Sequence, residues 1–442
     1  MNIQLSEHFT YKKIIRFTIP SVAMMIFTSI YGVIDGLFVS NFVGKTPFAA
    51  VNFIMPFIMI LGAFGFMFGT GGSALVSKTM GEGNMKKANS LFSMITVISF
   101  IVGVFIAIFG IIFIRPIAAK LGAEGEMLQY CIIYGRIILA AIPFFMLQME
   151  FQSFFITAEK PQLGLISTVV AGVTNIALDA LLVYLIALGV VGAAVATALS
   201  QVVGGVIPII YFSRKNTSLL RFTKYSFDIK ALFKTCGNGS SELMSNISMS
   251  FVGMLYNVQL MKYAGEDGVA AYGVMMYVCF IFISVFVGYS IGTAPVIGFH
   301  YGAGNHSELK SLLKKSLVII GVLSLGMLAL GEILAKPLSL IFVSYDAELL
   351  KLTVRGFVIF SFSFLFAGIA IFGSGFFTAL NNGLVSALIS FLRTLLFQTA
   401  AIITLPLVFG TDGIWFSIIV AELMAAILTA VFIVAVKKKY KY

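Results

Sequence analysis

Five acidic side chains fall inside stretches that are otherwise apolar: Asp35, Glu150, Asp179, Glu242 and Glu422. A charge near the middle of a bilayer costs about 3 kcal/mol or more, so each must face a cavity, a partner or a proton. Asn175 and Asp179 stand four residues apart and share one helix face. At 1.5 Å per residue, Asp35 lies roughly 30 Å along a first helix, Asp179 roughly 24 Å along a fifth, and Thr197 roughly 10 Å below the outer end of a sixth. All three estimates put these groups in the outer part of one bundle. Two carboxylates, an amide oxygen and a hydroxyl can coordinate a hard cation such as Na⁺. The same two carboxylates can instead hold one shared proton. A blander alternative stays open, because Asn and Thr also bond across membrane helices with no ion involved. Asp35, near a helix end, can also reach water.

The other candidates are weaker. Glu150 sits in QMEFQ between Gln148 and Gln152, a polar cluster able to line a cleft or to bridge helices. Glu242, expected in the first turns of a seventh helix, can attract a cationic substrate or simply be solvated. Tyr256 completes this set of cleft candidates. Glu422 is read as structural. The 20 Met and 44 Phe can form adaptable walls for bulky aromatic ligands, although lipid-facing helices use the same residues. The three cysteines are scattered, with no disulfide framework or metal spacing. The three histidines are expected in loops or the tail. There is no Ser-His-Asp set and no phosphate loop, so the chain is not expected to be an enzyme, and no cofactor is expected beyond a coupling ion.

These groups need helices to hold them. Hydrophobic residues make up 60% of the 442, charged residues 11%, and mean hydropathy is +1.04. Apolar runs long enough to cross about 30 Å of hydrocarbon number twelve. They cover 14–40, 48–79, 88–113, 127–157, 163–187 and 190–212, then 232–262, 269–299, 312–334, 348–379, 384–408 and 412–436. Lys12, Lys13 and Arg16 precede a run of full spanning length with no small-residue cleavage site, so the first helix is expected to be retained. Pro20 and Gly32 weaken its hydrogen-bond ladder and predict bending.

The net charge of +11 does not imply a nucleic-acid partner, because of where the cations lie. With a cytoplasmic N-terminus, 20 Lys and Arg fall on that side, six of them in the central connection. Only 6 fall opposite: Lys45, Arg115, Lys120, Lys262, Lys336 and Lys351. This asymmetry predicts a multi-pass protein of the plasma (cytoplasmic) membrane with both termini cytoplasmic.

The chain also repeats itself at an offset of 221 residues. Gly44 meets Gly265, GEGN at 81–84 meets GAGN at 302–305, Pro116 meets Pro337, and Gly189 and Gly192 meet Gly410 and Gly413. Six helices per half make the repeat parallel. The fold class expected is an all-α integral membrane protein, with twelve transmembrane helices in two six-helix bundles related by a parallel internal repeat. The lobes are 1–213 and 231–442, joined by a linker at 214–230. A duplicated apolar chain of this kind suggests a transporter. The repeat is also a control: Asp35 meets Tyr256, Asn175 meets Leu396, Asp179 meets Ala400 and Thr197 meets Ile418. The second half builds the same architecture without these polar groups.

The residues resemble a known family. Helix one reads IPSVAMMIFTSIYGVIDGLFVSNFVG, helix five TNIALDALLVY, helix six GVVGAAVATALSQ, and the second helix ends GTGGSALVSKTMGEGN. Over essentially the whole length the chain is similar to the multidrug and toxic compound extrusion (MATE) transporters, bacterial type. The resemblance implies a secondary antiporter that exports cationic or amphipathic organic compounds in exchange for Na⁺ or H⁺. It implies ion coupling at Asp35, Asn175, Asp179 and Thr197, which would also be the Na⁺ ligands, with bending at Pro20. A monomer in the lipid bilayer is expected. Some members carry an acid on helix ten; GFVIFSFSFLFAGIAIFGSGFF has none, which places coupling in the first lobe. The alternative is a flippase for a lipid or lipid-linked precursor, which should show Arg136 and Arg355 in the cleft.

Overall fold

A bilayer core offers the backbone no hydrogen-bond partner, so apolar stretches satisfy their own N–H and C=O groups as helices. The structure, a computed structural model, describes residues 3–344 and 346–442; the side chains of Leu37 and Lys45, the latter counted above among the outer cations, lie outside the described residues. The first half folds into helix 1 (Tyr11–Phe42), helix 2 (Lys45–Gly81), helix 3 (Met85–Leu121), helix 4 (Gly125–Thr157), helix 5 (Pro161–Asp179) and helix 6 (Gly189–Ser213). Helix 5 runs on through a π turn, Ala180–Leu185.

The second half hides one crossing. Among the described residues ten helices are long and apolar enough to span, and the pair Ala347–Ser361 and Phe364–Ala379, bent by 50°, makes an eleventh. The twelfth lies inside Ile229–Gly302, whose 74 residues would run about 110 Å if straight. Gly265 breaks this helix at φ 65° and ψ −155°. Tyr256 and Tyr272 would stand about 24 Å apart along a straight helix. Instead their rings stack at 4.9 Å, so the chain doubles back between them. Helix 7 (229–264) and helix 8 (266–302) thus form the same hairpin as helices 1 and 2, where Gly44 has φ 107°. Helix 9 is His306–Val343, helix 10 the bent pair, helix 11 Gly383–Phe409 with a π turn at Leu392–Phe397, and helix 12 Thr411–Ala435.

The repeat is visible in local chemistry. Asn84 and Asn305 each cap the next helix, accepting from Lys87 N at 3.0 Å and Glu308 N at 3.1 Å. These caps start helices 3 and 9 earlier than the apolar runs at 88 and 312, because the first turns carry lysines. His300 is not in a loop as expected. Helix 8 continues to Gly302 and buries His300 beside Phe9 and Phe299. Helix 1 is continuous through Pro20.

Both termini lie on one face. Phe9 O accepts from Lys315 Nζ at 2.6 Å, and Tyr440 packs edge-on to Tyr301. The segment before helix 1 ties both halves together on that face, since Leu5 N donates to Glu159 and Phe9 N donates to Glu308. The linker follows helix 3, with Arg221 N donating to Asn89 Oδ1 at 2.7 Å and Thr223 N to Ser93 Oγ at 2.9 Å. Phe222 stacks on Phe92 at 5.0 Å.

The two halves interlock on the terminal face, backbone against backbone. A Cβ on Gly71 would overlap Thr235 and Gly239, one on Gly239 would overlap Met67, and one on Gly302 would overlap Lys78. Asn381 Nδ2 reaches Ala74 O across the same seam at 2.9 Å. Glycines further from that face on helices 1, 7 and 8 (Gly32, Gly36, Gly253 and Gly273) have nothing within 4 Å. The halves are therefore tightly packed on the terminal side, and helix 1 meets helix 8 as far along as Ser29, whose Oγ bonds Ser284 Oγ. Gly239→Val is expected to wedge helices 2 and 7 apart and cost about 2 kcal/mol of stability. The measurement is thermal unfolding of the detergent-solubilised protein, and an unchanged midpoint would contradict this packing.

Candidate functional site

Helices 1, 5 and 6 bring four polar side chains to one point in the first lobe. Thr197 Oγ1 donates to Asp35 Oδ1 at 3.3 Å, and Asn175 Nδ2 donates to Thr197 Oγ1 at 3.5 Å. The Asp179 carboxylate, one turn past Asn175 on helix 5, lies near that of Asp35 with no hydrogen bond between them. Asp179 and Asn175 are buried, at 0% and 1% exposure. The predicted grouping from three separate helices is what the fold builds. The reason is local: helix 5 presents Asn175 and Asp179 one turn apart on its inner face, and helix 6 descends from Gly189 so that Thr197 meets that face. The π turn begins directly after Asp179, a placement often associated with functional positions.

The hydrogen bonding is incomplete in an informative way. Both carboxylate oxygens of Asp179 and the Oδ1 of Asn175 are buried without a donor. Orphaned buried acceptors of this kind call for a proton, water or a cation. Among the described residues no Lys or Arg forms an ion pair with either aspartate.

Two tyrosines complete the site and were not identified from sequence. Tyr31 stands one turn before Asp35 on helix 1 and near it. Tyr134 of helix 4 is buried near the aspartates, its Oη donating to Met55 Sδ at 3.6 Å. The repeat held the signal for each, since Tyr31 is matched by Val252 and Tyr134 by Arg355.

The expected cleft residues are placed differently. Glu150 is completely buried on the face of helix 4 that meets helices 2 and 3, where Thr96 Oγ1 donates to it at 3.0 Å and Gly69 lies against its backbone. Gln148 packs against Gly204 of helix 6, and Gln152 is buried with both amide atoms unpartnered. Of the two readings open for QMEFQ, the cleft wall is corrected and the bridge between helices is what the fold builds: helix 4 is packed against helices 2, 3 and 6. Tyr256 is also buried, its Oη 2.8 Å from Ser417 Oγ, so it joins helix 7 to helix 12 and does not line a cleft. Glu242 is not in the first turns of helix 7. The helix starts at Ile229, so Glu242 stands about 20 Å along it, half-buried, one turn past Gly239. Glu422 is held by Arg393.

The arginines tied to a lipid-linked cargo are elsewhere. Arg355 pairs with Asp412, and Arg136 is exposed on helix 4, which does not form the seam between the halves. A groove of about 560 Å³ between helices 2 and 3 is lined by Phe57, Phe105, Phe109 and Phe113 and contains none of the acids.

Comparison with known proteins agrees with this architecture. The chain is 27% identical to the multidrug export protein MepA of Staphylococcus haemolyticus (strain JCSC1435), over 97% of this chain and 94% of that one. It is 25% identical to MepA of Staphylococcus aureus (strain MSSA476), over 94% and 92% of the two chains. A solved structure described as the outward-facing conformation of a multidrug resistance MATE family transporter of the MOP superfamily superposes with TM-score 0.92, at 25% identity and 99% coverage of both chains. The MatE family model matches twice, at residues 20–181 and 243–402, once in each repeat. The chain is a member of the MatE family.

Proposed function

We propose that this chain is a secondary multidrug exporter of the plasma membrane, moving cationic or amphipathic organic compounds outward in exchange for Na⁺ or H⁺. The observation that carries the reading is that half-buried Asp35 and buried Asp179 are gathered with Asn175 and Thr197 at one point, with no basic partner among the described residues. Two such carboxylates repel when both are ionised, and a bound proton or a hard cation relieves that repulsion. Asp35, Asp179, the free Oδ1 of Asn175 and Thr197 Oγ1 are then the oxygen ligands. The names of the relatives support export as the direction of transport.

The cycle follows from the site and the seam described above. With both termini in the cytoplasm, the glycine-packed seam closes the cytoplasmic side. Ion entry from outside neutralises the aspartate pair and lets helices 1, 5 and 6 draw together. Helix 1 carries Asp35 and, about 21 Å nearer its start, Ser21, which packs on Gly288 and Gly292 of helix 8. A shift of helix 1, bending at Pro20, therefore links ion binding to the seam.

In proteoliposomes loaded with a fluorescent organic cation, a pulse of Na⁺ or of acid on the releasing side is expected to drive movement of the dye. Asp35→Asn and Asp179→Asn are each expected to reduce that movement to the leak rate; wild-type rates in both would overturn the site. Thr197→Val keeps the shape and removes one ligand. Loss of a hydrogen bond to a charged group is worth about 1.5 kcal/mol, so the ion concentration giving half-maximal transport is expected to rise roughly tenfold. A dose–response curve for the driving ion checks this.

A further inference from the structure

One corner of the seam on the terminal face is lined with lysines from both halves. The end of helix 2, the start of helix 3 and the start of helix 7 form a pocket of about 250 Å³ there. Lys78 of helix 2, Lys87 of helix 3 and Lys230 and Lys234 of helix 7 line it, together with Glu82 and Asp228. Four cations against two acids leave this lining with a charge of +2. The acids already have partners. Glu82 lies 3.4 Å from Lys78, and Asp228 Oδ1 accepts from Ala231 N at 3.0 Å as the cap of helix 7. Lys87, Lys230 and Lys234 form no ion pair or side-chain hydrogen bond among the described residues.

The matching corner of the repeat is built differently. Lys87 is matched by Glu308 and Lys230 by Phe9. There Glu308 accepts from Phe9 N at 2.9 Å and bonds His8 Nδ1 at 2.6 Å, so the chain's own N-terminal segment occupies the corner. Lys78 and Glu82 are matched by the apolar Phe299 and Ala303. The shared fold therefore does not require the lysines. They also stand at the tightest part of the seam. The Lys78 carbonyl lies against Gly302, and Lys234 directly precedes Thr235, whose carbonyl lies against Gly71. Like charges on both sides of such a junction repel unless an anion lies between them. The adjoining surface is apolar. Phe227, directly before Asp228, is 64% exposed, and Phe233, directly before Lys234, is 72% exposed. Exposed apolar side chains beside a basic pocket between membrane helices suit a phosphorylated lipid headgroup.

We propose that this pocket binds a phosphate anion, carried by an anionic phospholipid or free in solution, and that the bound anion bridges the two halves at their seam. A phosphate presents acceptor oxygens on several sides, so it can take charge-assisted hydrogen bonds from lysines of both halves at once. A zwitterionic headgroup brings a further cation to the same lysines and binds less well. Because the anion touches both halves, it favours the arrangement in which the terminal side is tightly packed. The pocket stands apart from the coupling site at Asp35 and Asp179, and anion binding there does not depend on the export reading.

The test titrates the detergent-solubilised full-length protein with phosphatidylglycerol, phosphatidylcholine and inorganic phosphate in turn. Native mass spectrometry reads the bound lipid, and the melting temperature is followed in parallel. Phosphatidylglycerol is expected to bind about tenfold tighter than phosphatidylcholine and to raise the melting temperature of the wild type. Lys87→Gln combined with Lys234→Gln removes one exposed lysine from each half, and is expected to weaken phosphatidylglycerol binding about thirtyfold and to abolish the rise. Lys310→Gln combined with Lys314→Gln removes the same charge from exposed positions of helix 9 outside the pocket, and is expected to change neither. If inorganic phosphate raises the melting temperature of the wild type but not of the pocket variant, while the two lipids bind alike, the anion is free phosphate and the site stands. Equal losses in the two double variants would mean diffuse attraction to surface charge and would overturn the proposal. A wild type that prefers neither phosphatidylglycerol nor phosphate would overturn it as well, and binding without a rise in melting temperature would overturn the bridging role.

Discussion

The structure is organised around one electrostatic problem: a half-buried and a fully buried aspartate come together in the first lobe, and no basic side chain among the described residues pairs with either. Asp35 and Asp179 come from helices 1 and 5, and Thr197 and Asn175 supply only a short relay of weak hydrogen bonds. Burying one uncompensated carboxylate is costly, and burying two side by side is more so. Proteins tolerate such an arrangement where the missing charge comes and goes. The contrast with the second lobe is instructive. There the buried acid Glu422 has a permanent arginine. One lobe holds its charge by an internal pair; on the proposed reading, the other leaves its charge to be balanced by an ion from outside.

That difference matters because of how the halves meet. Helices 2 and 7 touch backbone to backbone through Gly71 and Gly239, and helices 2 and 8 through Gly81 and Gly302. Such contacts are sensitive to separation, since a gap of about 0.5–1 Å forfeits roughly a quarter to a half of the dispersion energy. Tight packing of this kind favours two discrete arrangements over gradual flexing. Helix 1 connects the two features, because one continuous helix carries both Asp35 and the contacts of Ser21 on helix 8. On the proposed reading, filling the aspartate site moves helix 1, and the seam responds as a switch.

Much of this was legible in the sequence. The offset of 221 residues foretold that Gly265 would do what Gly44 does, and it resolves a 74-residue helix into two crossings. The spacing of Asn175 and Asp179 placed them on one face, and helix lengths brought Asp35 and Thr197 to the same depth. The parts that were not legible concern which way a helix faces. Glu150 and Gln148 are two residues apart, so they point to nearly opposite sides of helix 4, and neither local pattern nor composition says which side meets the seam. Tyr256 reads as an open polar residue until helix 12 supplies Ser417. Glu242 was placed too shallow because the polar first turns of helix 7 hid its start at Ile229. Tyr31 and Tyr134 were overlooked because a tyrosine in an apolar helix is unremarkable alone; their mismatch with Val252 and Arg355 was the available sign.

The central claim is that a single exchangeable cation balances the aspartate pair in the first lobe and that the second lobe holds none. Equilibrium binding of radiolabelled Na⁺ to the purified protein, as a function of pH, tests this most directly. The account predicts at most one Na⁺ per chain, displaced by acid as the carboxylate pair takes up a proton, with Glu422→Gln leaving the stoichiometry unchanged. If the site takes only protons, titration of the same preparation should instead release one proton per chain that Asp179→Asn abolishes. Two cations per chain, or one that persists in Asp179→Asn, would contradict the account.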